Sequence, residues 1–124
     1  MVGATHNSNI VFWEEGGFAT QGIEDVAERG VNDDFETEVN TAITNGDADQ
    51  WLQEAFDEPN NASSGVTLMN IEVDEDFPLL TLISMIAPSP DWFIGINSFS
   101  LLDGGNNWKD NITIDLFPYD AGTE

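Results

Sequence analysis

Three carboxylates stand where they could hold a cation: Asp91 in Pro90-Asp91-Trp92, Asp103 in Asp103-Gly104-Gly105, and Asp120 in Tyr119-Asp120-Ala121-Gly122. Each lies just before or just after a run that reads as a β-strand. Their neighbours are small or cyclic, which leaves backbone carbonyls exposed as further ligands. Oxygen donors of this kind are hard. The chain has no cysteine and a single histidine, so the set suits Ca²⁺ and not zinc or copper. Strand direction decides which of the three can meet. Asp91 and Asp103 flank one strand and should sit apart. Asp91 and Asp120 are two strand lengths apart and can share an end, because antiparallel strands reverse direction. Asp120 therefore ranks above Asp103 as the partner of Asp91. For all three, the competing reading is an Asx-turn beside glycine.

The elements that must position these groups centre on one stretch. Leu79 to Ile86 and Trp92 to Ile96 are apolar on both faces, the pattern of strands covered on both sides. Pro88 and Pro90 between them cannot donate ladder hydrogen bonds, so the break predicts a tight corner, with Asp91 standing at it. Strands are expected over 66–73, 79–87, 92–100 and 111–117, and a short one over 9–13. Helices are expected upstream. Thr20 can cap one from Gly22 to Arg29, ended by Gly30. Asp33 and Glu36 have capping-box spacing for a second, in which Phe35, Val39, Ala42 and Ile43 share a face before Asn45-Gly46. A third is expected over 48–56, packing Trp51, Leu52 and Ala55.

The composition excludes several functions. Of 124 residues, 24 are Asp or Glu and only Arg29 and Lys109 are basic, for a formal charge of −22. No basic patch can form, which argues against nucleic acid and against anionic membrane surfaces as partners. No apolar run approaches the length of a membrane span, so membrane insertion is not expected. The apolar share of 40% is that of a folded chain, and the length suits one domain. Such charge on so small a domain is self-repelling until salt screens it, which suits a halophilic source. No nucleophile–base set can be assembled, and chance carboxylate pairs are inevitable among so many acids, so the chain reads as no enzyme. His6 reads as a structural residue. Glu14-Glu15 and Asp74-Glu75-Asp76 read as solvated surface. The sequons at Asn61 and Asn111 carry little weight. The four tryptophans read mostly as core, although Trp92 or Trp108 could offer a sugar a stacking face.

Several words in the chain are more specific. Ser84-Met-Ile-Ala-Pro-Ser-Pro-Asp-Trp-Phe-Ile-Gly95, Leu101-Leu102-Asp103-Gly104, Trp108 and Asp115-Leu-Phe-Pro-Tyr-Asp-Ala-Gly-Thr-Glu124 resemble the spondin domain. That is the amino-terminal adhesion module of F-spondin and mindin, which also occurs in prokaryotic secreted proteins. Ala4-Thr5-His6, Phe12-Trp13-Glu-Glu-Gly16 and Ala19-Thr20-Gln-Gly22 extend the resemblance upstream, while 45–65 matches nothing familiar. The lack of cysteine departs from the animal members and is closer to the prokaryotic branch.

The resemblance implies a mainly β fold, an antiparallel β-sandwich related to calcium-binding membrane-targeting modules, here with two or three short helices before the main strands. It implies a single domain over 1–124, short of a flanking strand at each end. It also implies a calcium site of loop carboxylates at one end of the sandwich, which strengthens Asp91 and Asp120 and keeps Asp103 as a lesser candidate. The expected function is a non-enzymatic, extracellular or cell-surface adhesion and recognition module for protein or glycan partners, stabilised by Ca²⁺. The alternative is a structural subunit of a surface layer or filament, a homo-oligomer whose open sheet edges are completed by strands from neighbouring copies.

Overall fold

The computed structural model describes residues 1–54, 68, 71, 73–86, 91–105, 107–109 and 113–122. It is mainly β. Five strands, β1 (Val2–His6), β2 (Ala48–Gln53), β3 (Leu79–Met85), β4 (Trp92–Ser100) and β5 (Phe117–Asp120), form one sheet in the order β2-β1-β3-β4-β5. Every pairing is antiparallel. Two helices, α1 (Gln21–Arg29) and α2 (Asp33–Thr44), pack on one face of it. The described residues form a single sheet, so they show the mainly β class and the short helices but no second sheet of a sandwich.

α1 starts and stops where its residue types dictate. The Thr20 hydroxyl accepts the Ile23 amide, and Gly30 ends the helix at a φ of 66°, in the left-handed region that favours glycine. α2 also helps to hold this start. The Glu38 carboxylate accepts from the Thr20 hydroxyl at 2.6 Å and from the Gly22 amide at 2.7 Å, giving an orphan donor of the first turn a charged acceptor. The capping box expected at Asp33 and Glu36 does not form. Asn32 is the N-cap, without a side-chain bond, and Asp33 lies inside the helix. The expected apolar face is present, with Phe35, Val39 and Ala42 buried.

Three expectations are overturned by pairing. The segment 48–56 has helical spacing, but its residues Ala48–Gln53 fold as strand β2. β1 is buried along all five residues and bonds on both sides, to β2 and β3. Its demand for a ladder partner outweighs local propensity in β2. The segment 9–13 is not a strand; Phe12 and Trp13 bury their rings in the core instead. The strand lies earlier, in Val2-Gly-Ala-Thr-His6. Its small residues carry a weak β signal, but they permit close approach: a Cβ on Gly3 would fall 1.9 Å from the Thr81 carbonyl oxygen. At the other end, residues 113–116 have no regular structure and β5 begins only at Phe117. Its ladder with β4 runs from Asp120 opposite Trp92 to Phe117 opposite Gly95. It stops where β4 bulges, between Ile96 and Phe99.

The β3–β4 hairpin is as expected, with Met85 opposite Phe93. Its Pro-Ser-Pro corner lies outside the described residues, as do most of the expected 66–73 strand, Asn61 and Asn111.

Candidate functional site

β4 and β5 bring two of the three expected carboxylates together. Trp92 pairs with Asp120, and one step further the Ala121 amide donates to the Asp91 carbonyl at 2.9 Å. Asp91 thus sits at the start of β4 and Asp120 at the end of β5, on one edge of the sheet, with their carboxyl groups in hydrogen-bond contact. Asp91 is only 4% exposed. The Gly122 amide, the Asp91 carboxyl group and the Trp92 indole all bond to Asp120 and hold its carboxyl below the usual carboxylate range. Two carboxyl groups this close need a proton or a cation between them.

Asp103 is not part of this group. It follows β4 at the far end, where its carboxylate accepts from the amides of Gly105 at 2.8 Å and Asn107 at 3.1 Å. Those amides, with Lys109 nearby, hold its pKa low. This is the Asx-turn arrangement. Among the described residues, no three His, Cys, Asp or Glu side chains cluster as a metal site. The donor set at Asp91 and Asp120 still fits a hard cation. Both side chains offer oxygen, and carbonyls and waters can complete a calcium shell.

A second carboxyl pair was not legible in the sequence. Asp25 on α1 is 3% exposed and bonds to Asp34 on α2, to Gln21 and to Arg29. Asp25 is held low, chiefly by Asp34, and Asp34 is pushed up by the same contact. Here Arg29 supplies the positive charge, so the pair is explained as a joint between the helices.

His6 is structural, as its lone occurrence suggests. It is fully buried, packs edge-on against Phe12, and bonds through Nδ1 to the Asn7 carbonyl at 2.8 Å and through Nε2 to the Thr81 hydroxyl at 2.7 Å. A carbonyl can only accept, so Nδ1 carries the proton and Nε2 accepts from Thr81. Thr81 in turn accepts the amide of Ser98, which sits at a φ of 52° in the β4 bulge. The chain His6–Thr81–Ser98 thus holds the bulge that ends the β5 ladder. Burial pushes the His6 pKa down, with the Asn7 contact opposing. The unfolded chain takes up this proton near pH 6.5 and the folded protein only at lower pH. This contribution is therefore present above about pH 6.5 and is lost as pH falls through the folded value. Urea midpoints are expected to fall between pH 7.5 and 5.5. His6→Gln should flatten that slope while lowering stability throughout. A slope unchanged in the variant would show that other groups carry it.

Sequence reasoning passed over an aromatic cluster at the same sheet edge. Trp13 packs edge-on against Phe93 at 5.1 Å and lies tilted against Tyr119 at 4.7 Å. Around these rings are Glu14, Glu15, Phe18 and Asp120. The available signal was Trp13-Glu-Glu-Gly-Gly-Phe18: a large aromatic, two acids and a glycine pair in a loop.

The Spondin_N family model matches residues 1–124. The chain belongs to the spondin amino-terminal domain family. It is 36% identical over 125 residues to spondin-2 of Homo sapiens, covering 100% of this chain and 37% of that protein. It is 31% identical over 130 residues to spondin-1 of Gallus gallus, covering 100% of this chain and 16% of that protein. The spondin domain described here thus spans about a third or less of the curated relatives it matches. No helix among the described residues is long and apolar enough to cross a membrane.

Proposed function

We propose that this spondin domain is an extracellular, non-enzymatic adhesion and recognition module for protein or glycan partners, with one Ca²⁺ held between Asp91 and Asp120. The match of the Spondin_N model to the whole chain carries the reading. The ion would neutralise the carboxyl pair and tie the start of β4 to the end of β5, beside the exposed aromatics.

One observation favours a recognition module over a subunit completed by neighbouring strands. The Ala121–Asp91 bond makes residues 91, 93 and 95 the hydrogen-bonded partners of 121, 119 and 117. Pro118, opposite Ile94, then directs its backbone outward, where an added strand would need an N–H that proline lacks. Among the described residues the other edge strand is β2, which exposes Asp49, and a net charge of −22 repels like copies. Sedimentation in calcium buffer is expected to show a discrete monomer at all concentrations. Growth into large ordered assemblies would overturn the reading in favour of the subunit.

The charge supports a further expectation, that the domain comes from a salt-rich habitat. Its melting temperature should rise from low to molar monovalent salt, since the Debye length shrinks from ~30 Å at 0.01 M to ~3 Å at 1 M. A melting temperature that does not move with salt would remove the halophile reading.

A further inference from the structure

The aromatic cluster continues past Asp120 as a groove along β5. Two cavities of about 230 and 260 Å³ open on it, and Trp13, Glu15 and Tyr119 wall both of them. Phe93 adds to the wall of the first, and Phe99 and Phe117 to that of the second. Phe18 stands fully in solvent on one rim, and Phe117 is 61% exposed on the other. Large exposed apolar side chains gathered on one surface and rimmed by charge mark an interaction site. Here the lining carries the carboxylates of Glu14, Glu15 and Asp115, all exposed.

The Nζ of Lys109 lies 4.5 Å from the centre of the Phe99 ring, so one aromatic wall carries a cation from the chain itself. An aromatic face attracts cations through its quadrupole, and carboxylates add charge-assisted hydrogen bonds. A planar guanidinium uses both at once, by stacking and by a two-pronged bond, which an ammonium cannot match. The outward-facing Pro118 argues against added-strand pairing at this edge, so the contact is by side chain.

We propose that the groove walled by Trp13 and Tyr119 docks an arginine-bearing segment of a protein partner, with the guanidinium on the aromatic wall and bonded to Glu14 and Glu15. This rests on the recognition reading above and narrows its partner class.

The test uses the tripeptide acetyl-Gly-Arg-Gly-amide, its neutral citrulline analogue, and backbone amide NMR of the ¹⁵N-labelled chain. A singly charged probe avoids polyelectrolyte binding to so acidic a protein. Shifts are expected at Trp13, Phe18, Phe117 and Tyr119, with the citrulline probe ~10-fold weaker, as befits one charge-assisted hydrogen bond. Glu14→Gln with Glu15→Gln should weaken the arginine probe by at least ~10-fold. Asp33→Asn with Asp49→Asn, an equal loss of charge towards the opposite edge, should not. Equal weakening by both pairs would reduce the effect to the overall field and overturn the proposal. So would equal binding of the citrulline peptide, shifts confined to other surfaces, or no binding. If maltose moves the same resonances and the arginine peptide does not, the groove takes a sugar. In that case the recognition reading stands and the arginine assignment falls.

Discussion

Calcium is expected to raise the unfolding free energy of this domain by about 2.7 kcal/mol when free ion stands at 100 times its dissociation constant, and by about 4.1 kcal/mol at 1,000 times. The expectation rests on an ion that binds the folded state alone, because only the β4–β5 pairing brings Asp91 and Asp120 together. Asp91→Asn should remove most of the gain. Asp120→Asn should act in the same direction, whereas Asp76→Asn and Asp103→Asn should keep it. Removing one carboxylate also relieves the repulsion between the two, so both site variants should be less sensitive to chelator than the parent. The comparison is made by thermal melts with calcium and with magnesium at constant ionic strength, followed by calorimetric titration of metal-stripped protein. A calcium gain that survives Asp91→Asn, or one that magnesium reproduces in full, would show that the carboxyl pair is not the site.

Phe35→Ala is expected to cost ~3–5 kcal/mol, the range for emptying a buried aromatic position. Phe35 has no exposed surface. Its ring meets Phe12 at 5.7 Å and Trp51 at 5.6 Å, both edge-on, so one side chain joins α2 to the loop after β1 and to β2. Small domains hold only ~5–15 kcal/mol in total, so the variant should melt well below the parent and be largely unfolded in low salt. The urea midpoint should drop with little change in slope. A loss under ~1 kcal/mol would mean that neighbouring rings collapse into the space, contrary to the close packing expected here.

These two sites also show how far the sequence could be read. Phe35 and its helix were legible because Phe35, Val39 and Ala42 repeat at helical spacing. The neighbourhood of Asp91 and Asp120 was legible because strand reversal is a counting argument that needs only the number of strands between them. The misplaced last strand does not disturb this count, because Asp120 follows the expected strand and is the final residue of the observed one. β2 was not legible. Ala48, Trp51 and Leu52 satisfy a helical pattern, and only β1, which is distant in sequence, makes them a strand. β1 itself was hidden for the opposite reason. Gly3 looks weak as a strand former until the close approach of Thr81 and Leu82 requires it. The aromatic groove was hidden because Glu14 and Glu15 look like any solvated pair. Their meaning depends on Tyr119 and Phe117, about a hundred residues away, closing the wall.

β1 is inside the sheet, with β2 on one side and β3 on the other. Val2 is opposite Gln53 and Ile83 at once, so both ladders of the first strand close over long stretches of chain. During synthesis, at ~5–20 residues per second, β1 leaves the ribosome seconds before either partner exists. Contacts of such sequence separation make folding slow, since the loops must close before the pairing rewards them. On the extracellular reading proposed above, this delay would serve export. A sheet that cannot form until its third strand has been made stays threadable during the interval in which an export channel needs an unfolded polypeptide.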